Sequence, residues 1–381
     1  MYSLDDITDI HLEITTKCNA GCPMCPRHYH HTSIVREDIG LIDMTLDNAK
    51  KILQPALLKN LKTIVLCGNY GDPIANIDII PILKYILNIN PKIKIDLYTN
   101  GGARNVEFWK EIAHLVQKVH FAIDGLEDTN HLYRQFVNWN ILKRNVQAYI
   151  AESSKLKKRN HSHWVMNVFK HNEHQIDDAK KTAKLWGISV FRERYTARFV
   201  KINSNKIGLL HDWPVYNDDG SLKHTIYPTT KNHPENFSEN YEHIQVNNIP
   251  YEGENVNKIT QKILDDYNSV YQNSDIECKS NTHKSLYIDY RGKLFPCCWF
   301  GDSMQRPITV DDIQIKQMYE KYGNNFNDLS KYSIESIFDS GIFEEIEIGM
   351  QHKNISCGKT IVCMRRCSKK SLNHKFVATD L

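Results

Sequence analysis

No run of uncharged apolar residues in this chain approaches the ~18–20 that a membrane helix needs, so no membrane-spanning segment is expected. Neither sign of charge is in excess: 48 Lys and Arg stand against 45 Asp and Glu over 381 residues, a net +3. That balance excludes a protein held on nucleic acid mainly by a basic field. The opening Met1-Tyr2-Ser3-Leu4-Asp5-Asp6 lacks the basic segment of a secretory signal, so the reducing cytoplasm is the expected location. No internal repeat of fixed period is found. Between Cys67 and Cys278, across residues 68–277, there is no cysteine at all. A secreted disulfide scaffold would be short and bridged throughout, so that class is excluded too. The length lies well above the usual single-domain mode of roughly 100–150 residues, which predicts a large core plus at least one smaller module.

Ten cysteines are nevertheless present, and they are grouped. Cys18, Cys22, Cys25 and Cys67 lie near the start, while Cys278, Cys297, Cys298, Cys357, Cys363 and Cys367 crowd the last part of the chain. Without a signal peptide, such groups point to metal: two centres, or two modules that share one.

From Asp9 to about residue 195, β-rich runs alternate with helical spacing. Expected strands are Ile10–Ile14, Thr63–Leu66, Lys94–Tyr98, Val119–Ile123, Trp164–Phe169 and Ser189–Glu193. Between them fall apolar sets at helical intervals, such as Ile79/Ile82/Leu83/Ile86/Leu87 and Ile176/Ala179/Ala183/Trp186, the last closed by Gly187. Serial alternation favours right-handed crossovers and a parallel sheet. Too few units are present for eight, so the expected α/β fold is a partial (β/α)6 barrel spanning residues 1–200, with a small α+β cysteine-rich domain at 278–381. Residues 201–277 hold twelve Asn and four Pro; only Val256–Tyr271 looks helical, and the segment reads as a polar linker or substrate-facing elaboration. Ser285–Tyr290, Arg291-Gly292 and Lys293–Pro296 predict a hairpin whose far end delivers Cys297, with Cys298 pointing the other way along the strand. Ile334–Ile348 predicts one helix.

Cys18-Asn-Ala-Gly-Cys22-Pro-Met-Cys25 follows the first strand directly, at the end of a parallel barrel where active sites lie. Three thiolates leave a tetrahedral zinc site one ligand short. A [4Fe–4S] cluster held by three keeps one iron open. This CxxxCxxC motif after strand one resembles the radical S-adenosylmethionine superfamily, over roughly residues 9–195. The resemblance implies that the open iron chelates S-adenosylmethionine, and that a flavodoxin- or ferredoxin-type reductant supplies an electron. The products would be methionine and a 5′-deoxyadenosyl radical that takes a substrate hydrogen.

The same resemblance implies cofactor-binding roles elsewhere. Met24 stands where the family usually has an aromatic residue whose backbone meets adenine. Tyr70-Gly71-Asp72-Pro73 is similar to the Gly-Gly-Glu-Pro segment that binds the cofactor's amino group, with Tyr for the first Gly and a shorter Asp for Glu. Asn100, Asp124 and, more weakly, Asn167 end strands where ribose hydroxyls or the carboxylate are met; read alone, Asn100-Gly101 and Asp124-Gly125 are also ordinary turn pairs. Cys67 reads as a small buried hydrophobe.

The later cysteines resemble the auxiliary-cluster module called SPASM in its shortened twitch form. Asn354 stands where the full form has a further cysteine, and none follows Cys367. One auxiliary [4Fe–4S] cluster is then implied, on Cys278, Cys297, Cys363 and Cys367, with Cys357 or Cys298 as substitutes; a zinc ribbon is the competing reading. His28, His30, His31, His161 and His163 carry no ligand signature and read as surface or loop residues, while Lys155–Arg159 and Arg365-Arg366 read as solvated faces. Tyr70, Tyr195 and Glu193 are candidates for moving a final proton. Two substrate classes follow from the resemblance: a ribosomally made peptide, to be cross-linked, epimerised or excised with help from a separate recognition protein, or a small sugar or aminocyclitol alcohol. A non-catalytic iron–sulfur or zinc protein is the reading from a different class.

Overall fold

The computed structural model of the chain describes residues 4–156, 161–203, 206–209, 211–231, 242–243, 273–305 and 312–369. The expected helix Val256–Tyr271 and most of the run Lys155–Arg159 lie outside them. Six parallel strands, β1 (Asp9–Leu12), β2 (Thr63–Leu66), β3 (Lys94–Thr99), β4 (Lys118–Ala122), β5 (His161–Asn167) and β6 (Val190–Arg194), neighbour one another in chain order. Helices α1 (Leu46–Ile52), α2 (Pro55–Asn60), α3 (Ile79–Ile89), α4 (Val106–Leu115), α5 (Asn130–Tyr133), α6 (Trp139–Ser153) and α7 (Ile176–Trp186) lie between them. This is the expected α/β partial barrel, with strand boundaries as expected or shifted by up to three residues.

Alternation decides which way each strand faces. Ile10, Leu12, Ile64, Leu66, Leu97, Val119 and Phe121 are fully buried toward the helices. The opposite face of the strands lines the barrel interior. There the chain places polar rings: Tyr98 stacks on His120 at 3.9 Å, and His120 meets His163 edge-on at 4.5 Å. His163 is thus a buried interior residue and not a surface one. Helix starts are fixed by side-chain caps, with Thr45, Asn105 and Asn138 accepting from the N–H three residues on. Gly187 ends α7 at φ +83°, a conformation glycine adopts without cost.

Beyond β6 come short strands: β7 (Val200–Asn203) and β8 (Lys206–Leu209), antiparallel, and β9 (Trp213–Tyr216) with β10 (Leu222–Ile226), also antiparallel. The two-residue β11 (Glu242–His243) pairs with β8. So the polar segment is not structureless where it is described. The expected hairpin is present as β12 (Ser285–Ile288) and β13 (Leu294–Phe295), and β12 pairs in parallel with β1, residue Asp9 opposite Ser285. The barrel sheet therefore continues into the C-terminal part, in the order β13-β12-β1-β2-β3-β4-β5-β6.

Helices α8 (Lys279–Thr282), α9 (Cys298–Gln305), α10 (Asp312–Tyr322), α11 (Ile334–Asp339), α12 (Ile342–Gln351) and α13 (Ile361–Cys367) complete the described chain. Two expectations are corrected here. Cys298 is the first residue of α9 and not part of a strand, so successive side chains there diverge by ~100° instead of alternating. Ile334–Ile348 is two helices, because Gly341 turns left-handed at φ +82° between them. Among the described residues no helix is long and apolar enough to cross a membrane.

Candidate active site

The loop that carries Cys18, Cys22 and Cys25 leaves β1 at its C-terminal end and is curled by its own backbone. Cys25 donates its N–H to the Cys22 carbonyl at 3.0 Å, and Ala20 donates to the Cys18 sulfur at 3.3 Å. Each of the three thiols is within electrostatic reach of the others, and burial raises the thiols of Cys18 and Cys22, the latter to about 11. Segment 134–136 clamps the loop from outside. Gln135 accepts the Gly21 N–H at 2.9 Å, and Arg134 donates to the Cys22 sulfur at 3.5 Å. Phe136 covers Gly21 so closely that a β-carbon there would lie 2.5 Å from the ring. Phe136 itself is 69% exposed at φ +68°, a conformation that costs a bulky residue on the order of 1 kcal/mol or more. His28 is buried, against the surface expectation. The Cys22 carbonyl can only accept, so the proton sits on His28 Nδ1, 3.0 Å away, leaving Nε2 to accept from Arg27. His30 and His31 stack against Trp213 of β9.

The other residues expected at the cofactor converge on the same end of the barrel. Asp72 is buried and committed: its carboxylate accepts from the Ile74 N–H, the Thr99 hydroxyl (3.0 Å) and the Asn100 N–H (2.7 Å). Burial still raises its carboxyl, and those hydrogen bonds oppose the rise. Asn100 reaches toward the Cys18 sulfur at 3.6 Å and donates to Asn19 at 2.9 Å. Asp124 accepts from Arg134 at 2.6 Å and from both nitrogens of Asn167. Met24, within the loop itself, is buried. Gly71 lies on Thr15 with no space between them: a β-carbon at 71 would sit 2.0 Å from the Thr15 carbonyl oxygen. Glu193 and Tyr195 do not join this group; they hydrogen-bond each other at 2.8 Å, and Glu193 pairs with Lys180 of α7.

Several residues with no motif around them belong to the site. Glu13, wholly buried, accepts the Tyr70 N–H at 2.8 Å and the hydroxyl of Tyr287 on β12. Tyr70 in turn donates its hydroxyl to Asp302 at 2.6 Å. Burial raises the Glu13 carboxyl to about 8, helped by Asp289 and Asp302 against the two hydrogen bonds. Only the inward phase of β1 betrays Glu13 in the sequence. His11 lines the interior and gives its Nε2 proton to the Cys67 carbonyl; burial lowers it to about 4. A carboxyl raised in the folded state holds a proton that the unfolded chain has lost above pH ~4.5. Its native stability therefore declines as pH rises from about 5 to 8. Glu13→Gln, followed by thermal unfolding across that range, is expected to show a flatter profile than the unsubstituted protein; parallel profiles would reject a titrating Glu13.

The later cysteines form a second group. A cavity of ≈ 310 Å³ is lined by Cys278, Cys297, Cys363 and Cys367, and also by Cys298, Tyr287, His11, Val65 and Arg194. Cys363 feels Cys297, Cys278 and Cys367 electrostatically. Removal from water pushes Cys297 up to about 12 and Cys367 to about 11. Cys298 also lines the cavity, and besides Cys297 it feels Cys67, Asp302 and Glu13. Cys357 is exposed and does not line the cavity. Arg366 lies over the Trp299 ring at 4.3 Å, so this arginine packs instead of standing in solvent.

Both groups suit iron–sulfur clusters in donor type. Among the described residues no three His, Cys, Asp or Glu side chains converge tightly enough for a single metal ion. A cubane attaches each thiolate to a different iron and asks for a wider set. Residues 12–184 match the family model described as the Radical SAM superfamily. No curated protein matches in sequence. Among solved structures, Streptococcus suis SuiB aligns over 95% of this chain and 73% of its own, at 12% identity and a TM-score of 0.53. Histidine-tagged anSMEcpe with bound AdoMet aligns over 95% and 86%, at 12% identity and a TM-score of 0.50. These likenesses concern the fold. By the family match residues 12–184 are similar to the Radical SAM superfamily, and the chain is an enzyme that uses a [4Fe–4S] cluster and S-adenosylmethionine.

Proposed function

We propose that Cys18, Cys22 and Cys25 hold the first cluster and that the enzyme removes a hydrogen atom from a ribosomally made peptide. The observation that carries the reading is convergence: the three thiols, segment 70–73, Asn100 and Asp124 come from separate βα units and meet at one end of the barrel. When bound, cluster and cofactor supply reductive cleavage of the sulfonium and a 5′-deoxyadenosyl radical. The chain's own part is binding, orientation and exclusion of water. The Gly71 backbone rests against Thr15 at a distance that only glycine allows, and the Asp72 carboxylate, held by the Asn100 N–H, fixes the segment beside the cysteine loop. Arg134 places positive charge on Cys22, where it stabilises the thiolate that a metal requires.

A second [4Fe–4S] cluster on Cys278, Cys297, Cys363 and Cys367, in a twitch-type module at 278–381, is part of the proposal. The cavity they line supports it. Cys363→Ala is expected to lower the iron of reconstituted protein by about four per chain, whereas Cys357→Ala leaves it unchanged. Equal losses would reassign the ligands.

The peptide reading is supported by an apolar rim outside the cluster loop. Tyr29, Ile34, Phe136 and Leu222 are exposed there, and Lys223 lies over Phe136 at 5.6 Å, linking the loop to β10. An extended chain with alternating side chains suits such a surface. The cavity's His11 and Arg194 favour the second reading, oxidation of a small polar alcohol. Anaerobic incubation with reductant and S-adenosylmethionine tests the common step by release of 5′-deoxyadenosine and methionine. Deuterium transfer from a labelled peptide or labelled alcohol into 5′-deoxyadenosine decides between them.

A further inference from the structure

Segment 67–73, which follows β2, is bonded both to the first cysteine loop and to α9. On one flank the Asp72 N–H donates to the Lys17 carbonyl at 2.8 Å, next to Cys18, and the Asp72 carboxylate gathers Thr99 and Asn100. On the other flank the Asn69 side-chain amide donates to the Cys298 carbonyl at 3.2 Å, and the Tyr70 hydroxyl donates to Asp302 at 2.6 Å. Both acceptors are on α9, the helix that starts immediately after Cys297. The Tyr70 N–H is held as well, by Glu13, which also accepts Tyr287 of β12. Tyr70 and Asp302 are 1% and 6% exposed, so water does little to weaken this hydroxyl–carboxylate bond. A glycine at position 70 would make none of the side-chain contact. The tyrosine builds the connection.

We infer that Tyr70 is a positioning residue through which the state of the second cysteine site sets the affinity of the first for S-adenosylmethionine. This rests on the reading of segment 70–73 as part of the cofactor site. Asp302 lies four residues after Cys298, one turn along and on the same face of α9. Whether Cys297 is engaged by a metal or not changes where the start of α9 is held, and Asp302 carries that change to Tyr70. Position 71 has no slack to absorb it, because its backbone rests on Thr15. The displacement passes to Asp72, Lys17 and the start of the cluster loop. Coupling between two sites is reciprocal, so S-adenosylmethionine must alter the second centre by the same factor.

The test uses full-length, anaerobically reconstituted protein: unsubstituted, Tyr70→Phe, Cys363→Ala and the double variant. Dissociation constants for S-adenosylmethionine come from equilibrium dialysis, and the midpoint potential of the second cluster from an electron-paramagnetic-resonance titration with and without S-adenosylmethionine. Tyr70→Phe keeps the buried ring and removes only the hydroxyl. Each single variant is expected to weaken binding about five- to tenfold, and the double variant by no more than either alone. S-adenosylmethionine should move the second potential in the unsubstituted protein and not in Tyr70→Phe. Additive losses, unchanged binding in Tyr70→Phe, or the same potential shift in both proteins would overturn the inference. If Cys363→Ala does not fold, the potentials of the unsubstituted and Tyr70→Phe proteins decide the matter alone. Failure of the unsubstituted protein to bind S-adenosylmethionine is a different result: it removes the reading of the site itself, and the inference with it.

Discussion

Replacing Cys18, Cys22 and Cys25 together by alanine is expected to halve the iron of reconstituted protein, from about eight to about four per chain, and to abolish release of 5′-deoxyadenosine. The two effects come from one cause. The three sulfurs sit on a single curled loop at the C-terminal end of β1, and only Cys22 is nearly removed from solvent. Each substitution deletes one small sulfur from a loop whose backbone is held by Gln135 and Ser33. The barrel should therefore persist, with little change in circular dichroism and the second cluster retained. Loss of all iron would mean that one centre is shared between the two cysteine groups. Continued 5′-deoxyadenosine release at the unsubstituted rate would dismiss this loop as the cofactor site.

Gly71→Ala is expected to have the next largest effect. Its added β-carbon would sit 2.0 Å from the Thr15 carbonyl oxygen and 2.7 Å from the Thr15 carbonyl carbon, both backbone atoms that cannot rotate away. Separating two backbone segments in a packed region costs about 3 kcal/mol or more. The displaced loop would also lose the Asp72 clamp on Thr99 and Asn100, so binding of S-adenosylmethionine should fall below detection. Gly220→Ala is the contrast: φ is +84° there, and nothing lies within 4 Å of the added carbon. That variant meets only the left-handed strain, about 1 kcal/mol. Calorimetry of both separates steric exclusion at the site from generic glycine loss. Equal, small shifts in melting temperature would contradict the close approach at Thr15.

Elements with a local cause were readable in the sequence. Strand Thr63–Leu66 and helix α7 follow from alternation, helical spacing and the Gly187 stop, and the CxxxCxxC loop falls where a barrel strand ends. What was not readable depends on partners far away in the chain. Glu13 means nothing until β12 brings Tyr287 against it, 274 positions later. His163 looks like a polar surface residue until the strand register sets it edge-on to His120 inside the barrel. The apolar pattern of Lys293–Pro296 extends a strand through Cys298, but the pairing ends at Phe295 and a helix begins. No motif announces that the Asp72 carboxylate also gathers the Ile74 and Asn100 N–H groups and the Thr99 hydroxyl, since those partners come from the loop itself and from the next strand.

The parallel pairing of β1 with β12 has a consequence for how the chain is made. Asp9–Leu12 leaves the ribosome well before Ser285–Ile288, so one of its edges stays unpaired until that later segment has emerged. An open strand edge is a site for wrong pairing, and contacts of such sequence separation form slowly. The loop of Cys18, Cys22 and Cys25 begins just beyond that edge. Synthesis of the first part alone should thus yield a barrel that is sticky at β1, with Glu13 lacking Tyr287. Pairing of β12 with β1 is then the event that closes the wall beside the first cysteine loop.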